Sequence, residues 1–128
     1  MKSNKLRIRI KKPVDQVFKF SITPPNSTLW IKSVIKEETN QWPVQVGTVY
    51  KLYDKNGKCF EVVATVLKEN DMVEWVSKDH VYHCRYSFKS LDKNTTEFEY
   101  YEWVDKGELK APFNLAMLEK LRSVIEEF

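Results

Sequence analysis

The segment YSFKSLDKNTTEFEYYEW, residues 86–103, restricts what this chain folds into more than any other part of it. Apolar and polar residues alternate on both sides of a polar turn, the pattern of an antiparallel hairpin with one buried face. A one-residue slip would send every side chain to the opposite face, so the register is testable by face alone. A three-residue loop Asp92-Lys93-Asn94, with Asn94 left-handed, pairs Phe88 with Phe98, Tyr86 with Tyr100, Cys84 with Glu102 and Tyr82 with Val104. The other face then pairs Lys89 with Glu97 and Arg85 with Tyr101, an opposite-charge pair and a cation–π contact. A four-residue loop instead sets Lys89 opposite Phe98 and mixes the faces, so the three-residue loop is the expected one.

The same reasoning applies to YKLYDKNGKCFEV, residues 50–62. A loop Lys55-Asn56-Gly57, with Gly57 left-handed, pairs Leu52 with Phe60 and Tyr50 with Val62 inside, and Lys51 with Glu61 outside. Across the KEN turn at 68–70, Ala64, Val66, Val73 and Trp75 fall on the inner face. Residues 47–105 therefore read as an antiparallel meander punctuated by DKNGK, KENDM, SKDH and LDKNTT. NKLRIRIKK near the N-terminus alternates Leu6, Ile8 and Ile10 against Arg7, Arg9 and Lys11, another half-buried strand.

Helical spacing occurs twice. Pro13 suits a helix start, Val14, Val17 and Phe18 follow, and Pro24-Pro25 ends that helix. Pro25 or Asn26 starts a second short helix with Leu29 and Trp30 on its inner side. At the C-terminus, Met117, Leu118, Leu121, Val124, Ile125 and Phe128 recur at i, i+3, i+4 spacing opposite Glu119, Lys120, Arg122 and Glu126. That predicts one amphipathic helix of about four turns, begun at Pro112. The expected order is β-α-α-β-β-β-β-β-β-α. One apolar sheet face and one long apolar helix stripe must cover each other. The fold class is α+β: a curved antiparallel sheet wrapped around the C-terminal helix, with room between them for a small molecule.

Composition narrows the partners. The 128 residues suit one domain, 1–128, and the net charge of +3 is spread along the chain. No basic run shares a face with stacking aromatics, so nucleic acid is not an expected partner. MKSNKLRIRIKK has no apolar core of a signal peptide, and no apolar run approaches the ~20 residues of a membrane helix, which predicts no membrane insertion. Cys59 and Cys84 lack CxxC spacing and read as free buried thiols in a reducing compartment, so the expected localisation is cytoplasmic. His80 and His83 lie three apart, on opposite faces of a strand, which disfavours a shared metal. No metal or cofactor is expected, and nothing in the pattern specifies an oligomer.

The opening strand followed by PVDQVFKF, the PPNSTLW corner, VGTVYKL at the start of the meander, TEFEYYEW and the amphipathic terminal helix together resemble the START-like, or Bet v 1-like (SRPBCC), superfamily. Within it the chain is most similar to the short polyketide cyclase/dehydrase and lipid-transport type. The resemblance covers essentially the whole chain and rests on the order of the motifs. It implies a helix-grip fold with two short N-terminal helices closing one end, and a cavity for a small hydrophobic or aromatic molecule, lipid or polyketide-like. Trp30 would then plug the sheet's end. Plant members carry a glycine-rich loop where this chain reads ETNQWPVQVG, with one glycine, so no phosphate-binding role carries over.

The expected lining is Trp30, Tyr50, Phe60, Val62, Trp75, Tyr82, Tyr86, Phe88, Phe98, Tyr100, Glu102, Met117 and Leu121. Glu102 is the one catalytic candidate, because a carboxylate among Tyr82, Cys84 and Tyr100 could exchange a proton. The alternative is that a bulge turns it outward or that it sits at a wet mouth. Three functions follow: a non-catalytic binding module, a cyclase/dehydratase using Glu102 and a tyrosine, or an Hsp90-activator-like interaction module using the outer row Arg85, Tyr101 and Trp103.

Overall fold

A computed structural model describes residues 1–128. Its elements run β1 (Ser3–Ile10), α1 (Val14–Ile22), a 3-10 turn (Asn26–Leu29), β2 (Lys36–Thr39), β3 (Val49–Tyr53), β4 (Cys59–Lys68), β5 (Met72–Ser77), β6 (Tyr82–Asp92), β7 (Thr95–Val104) and α2 (Leu115–Glu126). The seven strands form one antiparallel sheet in the order β1-β7-β6-β5-β4-β3-β2. The first strand thus pairs only with the last, and every other neighbour is consecutive in sequence. No helix is long and apolar enough to cross a membrane.

Both hairpin registers are those expected from the residues. Phe88 pairs with Phe98, Tyr86 with Tyr100 and Cys84 with Glu102, while Leu52 pairs with Phe60 and Tyr50 with Val62. Gly57 is left-handed, with φ +81°, a conformation that glycine adopts without a Cβ clash. Two local expectations are corrected. Asn94 is not left-handed; the extra residue of the β6–β7 hairpin is Leu91, bulged between Ser90 and Asp92, and Asp92 pairs with Thr95. Thr65 bulges between Ala64 and Val66, so Val66 pairs with Glu74 on the outer face and Leu67 with Val73 on the inner one.

α1 buries Val17, Phe18 and Phe20, with Asp15 in its first turn and Lys19 in its last, each favourable to the helix dipole. The 3-10 turn that follows buries Trp30 but leaves Leu29 exposed, against the expectation that both face inward. α2 starts later than Pro112. Asn114 caps it by accepting from Met117 N at 3.1 Å, which satisfies an otherwise unpaired helix-start donor. Leu118, Leu121 and Ile125 are almost wholly buried, each contributing about 1.5–3 kcal/mol relative to exposure. α2 packs on the sheet against β1, and α1 packs against β6 and β7.

Candidate functional site

The helices cover only one end of the inner face. There Phe18 meets Phe88 edge-on at 5.2 Å, Phe88 meets Phe98 at 5.5 Å, and both join Leu118 and Leu121 in one core. Toward the other end α2 is absent and a cavity of about 720 Å³ opens, which α1 and the 3-10 turn reach only through Ser21 and Ser27. Its floor is the sheet, its flanks are residues 31–37, and its roof is the segment 106–113.

Eight of the expected residues line this space: Tyr50, Phe60, Val62, Trp75, Tyr82, Tyr86, Tyr100 and Glu102. Trp30, Phe88, Phe98, Met117 and Leu121 are not part of its wall. Trp30 stands behind it as a stop, 6.2 Å from Tyr86 and 5.8 Å from Phe113. The others belong to the filled end or, for Met117, pack against it. The hollow therefore lies beside the helix rather than between helix and sheet. Phe60 is 47% exposed and packs edge-on to Tyr82 at 5.8 Å, at the mouth.

Glu102 points inward and is 1% exposed. Oε1 accepts from Tyr82 Oη at 2.7 Å and Tyr100 Oη at 3.1 Å; Oε2 accepts from Asn4 Nδ2 at 2.9 Å and Phe113 N at 2.8 Å. A carboxylate offers about four acceptor positions, and protein donors fill all of them. Burying the charge is thereby compensated. Asn4 Nδ2 also donates to Phe113 O at 2.8 Å, and Phe113 stacks on Tyr100 at 4.4 Å. Leu109 N donates to Met1 O at 2.8 Å, and the N-terminal ammonium pairs with Glu108. Glu102 thus fastens the roof to β1, β6 and β7, and lends no free lone pair to chemistry in the cavity.

Burial raises the phenols of Tyr50, Tyr82, Tyr86 and Tyr100 above the ordinary tyrosine range, so each keeps its proton. Tyr50 uses its proton on Ile22 O at 2.8 Å. Burial also raises the Cys84 thiol, which keeps it from the thiolate form a nucleophile needs. Cys59, at the first position of β4, is exposed, so the expectation of two buried thiols holds for Cys84 and not for Cys59. His80 sits in a turn at φ +63°, and His83 is on the outer face, stacked on Trp103 at 4.7 Å and within 2.8 Å of Asp105. Cys84 and His80 therefore do not form a thiolate–imidazole pair.

Most of the residues missed from the sequence lie on connections, while Glu37 lies on the short strand β2. Ile31, Val34, Leu109, Ala111 and Phe113 add to the wall, and Glu37 contributes a further carboxylate. Glu37 Oε1 accepts from Ser27 N at 3.1 Å and Oε2 from Ser27 Oγ at 2.8 Å. Burial raises its pKa, and the two Ser27 bonds oppose that shift. Isolated apolar residues in the otherwise polar DKGELKAPFN were the available signal.

Two other surfaces compare poorly. A depression of about 620 Å³ between Arg9, Lys11, Asp92, Arg122 and Glu126 has Leu91 as its single apolar residue, unlike the mostly apolar lining of small-molecule sites. On the outer sheet face Tyr101 stacks on Trp103 at 4.8 Å, but Arg85 lies 5.2 Å from the Trp103 ring and Lys5 lies 4.9 Å from the Tyr101 ring. Those rings already have cationic partners.

An aromatic hollow at one end of a seven-stranded antiparallel sheet, with a C-terminal helix packed on the other, is the START-like, or Bet v 1-like, helix-grip fold. Solved structures agree with it over nearly the whole chain. A START superfamily protein from Mycobacterium smegmatis superposes with a TM-score of 0.71 at 13% identity, covering 99% of this chain and 96% of that one. A protein from Mesorhizobium loti gives 0.78 at 9% identity, covering 98% and 97%. The Aha1 dimer from Colwellia psychrerythraea gives 0.62 at 17% identity, covering 98% and 90%. No protein-family model and no curated protein matches the sequence.

Proposed function

We propose that residues 1–128 act as one ligand-binding domain that holds a small, largely apolar molecule, such as a lipid or an aromatic, polyketide-like metabolite, in this cavity. The observation that carries the reading is the hollow itself. Its volume of about 720 Å³ falls within the roughly 300–1,000 Å³ of small-molecule sites, and more than half of the residues lining it are hydrophobic, with Tyr50, Trp75, Tyr82, Tyr86 and Tyr100 among them. The likeness to a START superfamily protein supports it. Proton transfer through Glu102, as in a cyclase/dehydratase, has less support because all four of its acceptor positions are taken. The interaction reading suggested by the Aha1 likeness has less support because cations cover the outer rings.

Native mass spectrometry of freshly purified protein should find a co-purified apolar molecule. Adding a saturating apolar ligand to stripped protein should raise its thermal stability by mass action, by about 2.7 kcal/mol at 100 times Kd. A solid interior, with no apolar ligand moving the melting temperature, would falsify the binding reading.

A further inference from the structure

The polar groups of the cavity divide into those already satisfied and those left over, and the remainder defines what a guest must bring. Tyr82 and Tyr100 both donate to Glu102. Tyr50 donates to Ile22, and Ser77 Oγ donates to Asp79 at 2.6 Å and accepts from Tyr82 N at 3.0 Å. Glu37 and Tyr86 are among those left with unused bonding capacity. Glu37 uses two of about four acceptor positions on Ser27, and no lysine or arginine pairs with it. Tyr86 is 6% exposed, lines the cavity, and its hydroxyl bonds to no protein group. Beside it, ring centroids 4.7 Å apart, Trp75 carries the one fully buried side-chain polar atom with no partner, Nε1–H. That atom has no surface open to the cavity, so the guest is read from Glu37 and Tyr86 alone.

Resting on the binding reading above, we infer that the cavity selects an apolar molecule bearing a hydroxyl group, seated against Glu37 and Tyr86, over the matched carboxylic acid. A hydroxyl donates to Glu37 and accepts from Tyr86, meeting both wall groups with one substituent. A guest carboxylate would bring a second negative charge to Glu37 and no donor. Lys58, Lys106 and Lys110 also line the cavity, alongside Asp54, Asp79 and Glu108, and none of the three lysines forms an ion pair with Glu37 that would offset its charge. A buried ammonium guest would itself have to be desolvated, which disfavours it against a neutral alcohol or phenol.

The probes are 2-naphthol, 2-naphthoic acid and 2-methylnaphthalene, compared by isothermal titration calorimetry at neutral pH on the whole chain. 2-Naphthol should bind at least about fivefold tighter than either of the others, the scale of one or two net hydrogen bonds. Tyr86→Phe should cut its affinity about three- to tenfold and leave 2-methylnaphthalene unchanged. Glu37→Gln should narrow the gap between 2-naphthol and 2-naphthoate. Circular dichroism melts verify that each variant folds; should Glu37→Gln not fold, the Tyr86→Phe ratio decides alone. Three probes bound equally, or 2-naphthoate bound best, would overturn the hydroxyl preference while leaving the binding reading intact. No binding by any of the three would sink both.

Discussion

The two ends of the inner sheet face are built from the same strands yet end differently. Along β6 and β7, one end pairs Phe88 with Phe98, the middle pairs Tyr86 with Tyr100, and the far end pairs Cys84 with Glu102. The phenylalanine end is filled by α1 and α2. The tyrosine end is hollow. Phenylalanine brings no polar atom to a packed core, whereas each buried tyrosine hydroxyl must find a partner. Rings with hydroxyls therefore collect where there is space for a network, and rings without them where helices close the layer. The difference teaches that burial alone does not mark a binding wall. Phe98 and Tyr100 are equally inaccessible to solvent, and only one of them borders the cavity.

Substitutions at the two ends should separate in size. Phe98→Ala opens a void in the packed end and should cost about 3–5 kcal/mol by chemical denaturation. Tyr86→Phe, which loses no protein partner, should cost under about 1 kcal/mol. Equal losses would erase the distinction between a filled and a hollow end. Glu102→Ala should rank next, at about 2–4 kcal/mol, because Asn4 Nδ2 and Phe113 N lose their acceptor. Hydrogen exchange should then quicken at Leu109 and Phe113 before it does in β6; protection unchanged there would show that Glu102 does not fasten the roof. The smallest effect is a pH slope. Burial raises the Glu37 pKa, so folding favours the protonated form. Stability is fully present below the ordinary value of 4.5 and is lost as pH rises through the raised folded value. Glu37→Gln should flatten that slope in denaturation series run from acid to neutral pH, and a slope that survives the substitution would place its origin elsewhere.

What could be read from the residues follows from periodicity. Alternating faces set the β3–β4 and β6–β7 registers, and the inward turn of Glu102 came from counting along β7 rather than from its polarity. Bulges escape such counting. Nothing in Thr65 or Leu91 marks an extra residue, yet the first sends Val66 outward and brings Leu67 in. The helix start escaped because both Pro112 and Asn114 carry start signals, and the asparagine supplies the actual side-chain bond. The roof and flanks of the cavity escaped because connections have no period. Leu109 and Phe113 are held there by bonds to residues 1–4 and to Glu102, far away in sequence. Met117 and Leu121 were expected in the wall from the helix stripe, but the stripe meets the packed end.

The pairing of β1 solely with β7 has a consequence for the order of assembly. Until residues 95–104 have been synthesised, Ser3–Ile10 has no strand to join. The meander from β2 to β6 needs only neighbouring hairpins and can zip locally, whereas docking β1 closes a loop spanning most of the polypeptide. Asn4 reaches Glu102 and Phe113 only through that docking, across sequence separations of 98 and 109 residues. The long-range docking of β1 is thus also what ties down the roof of the chamber.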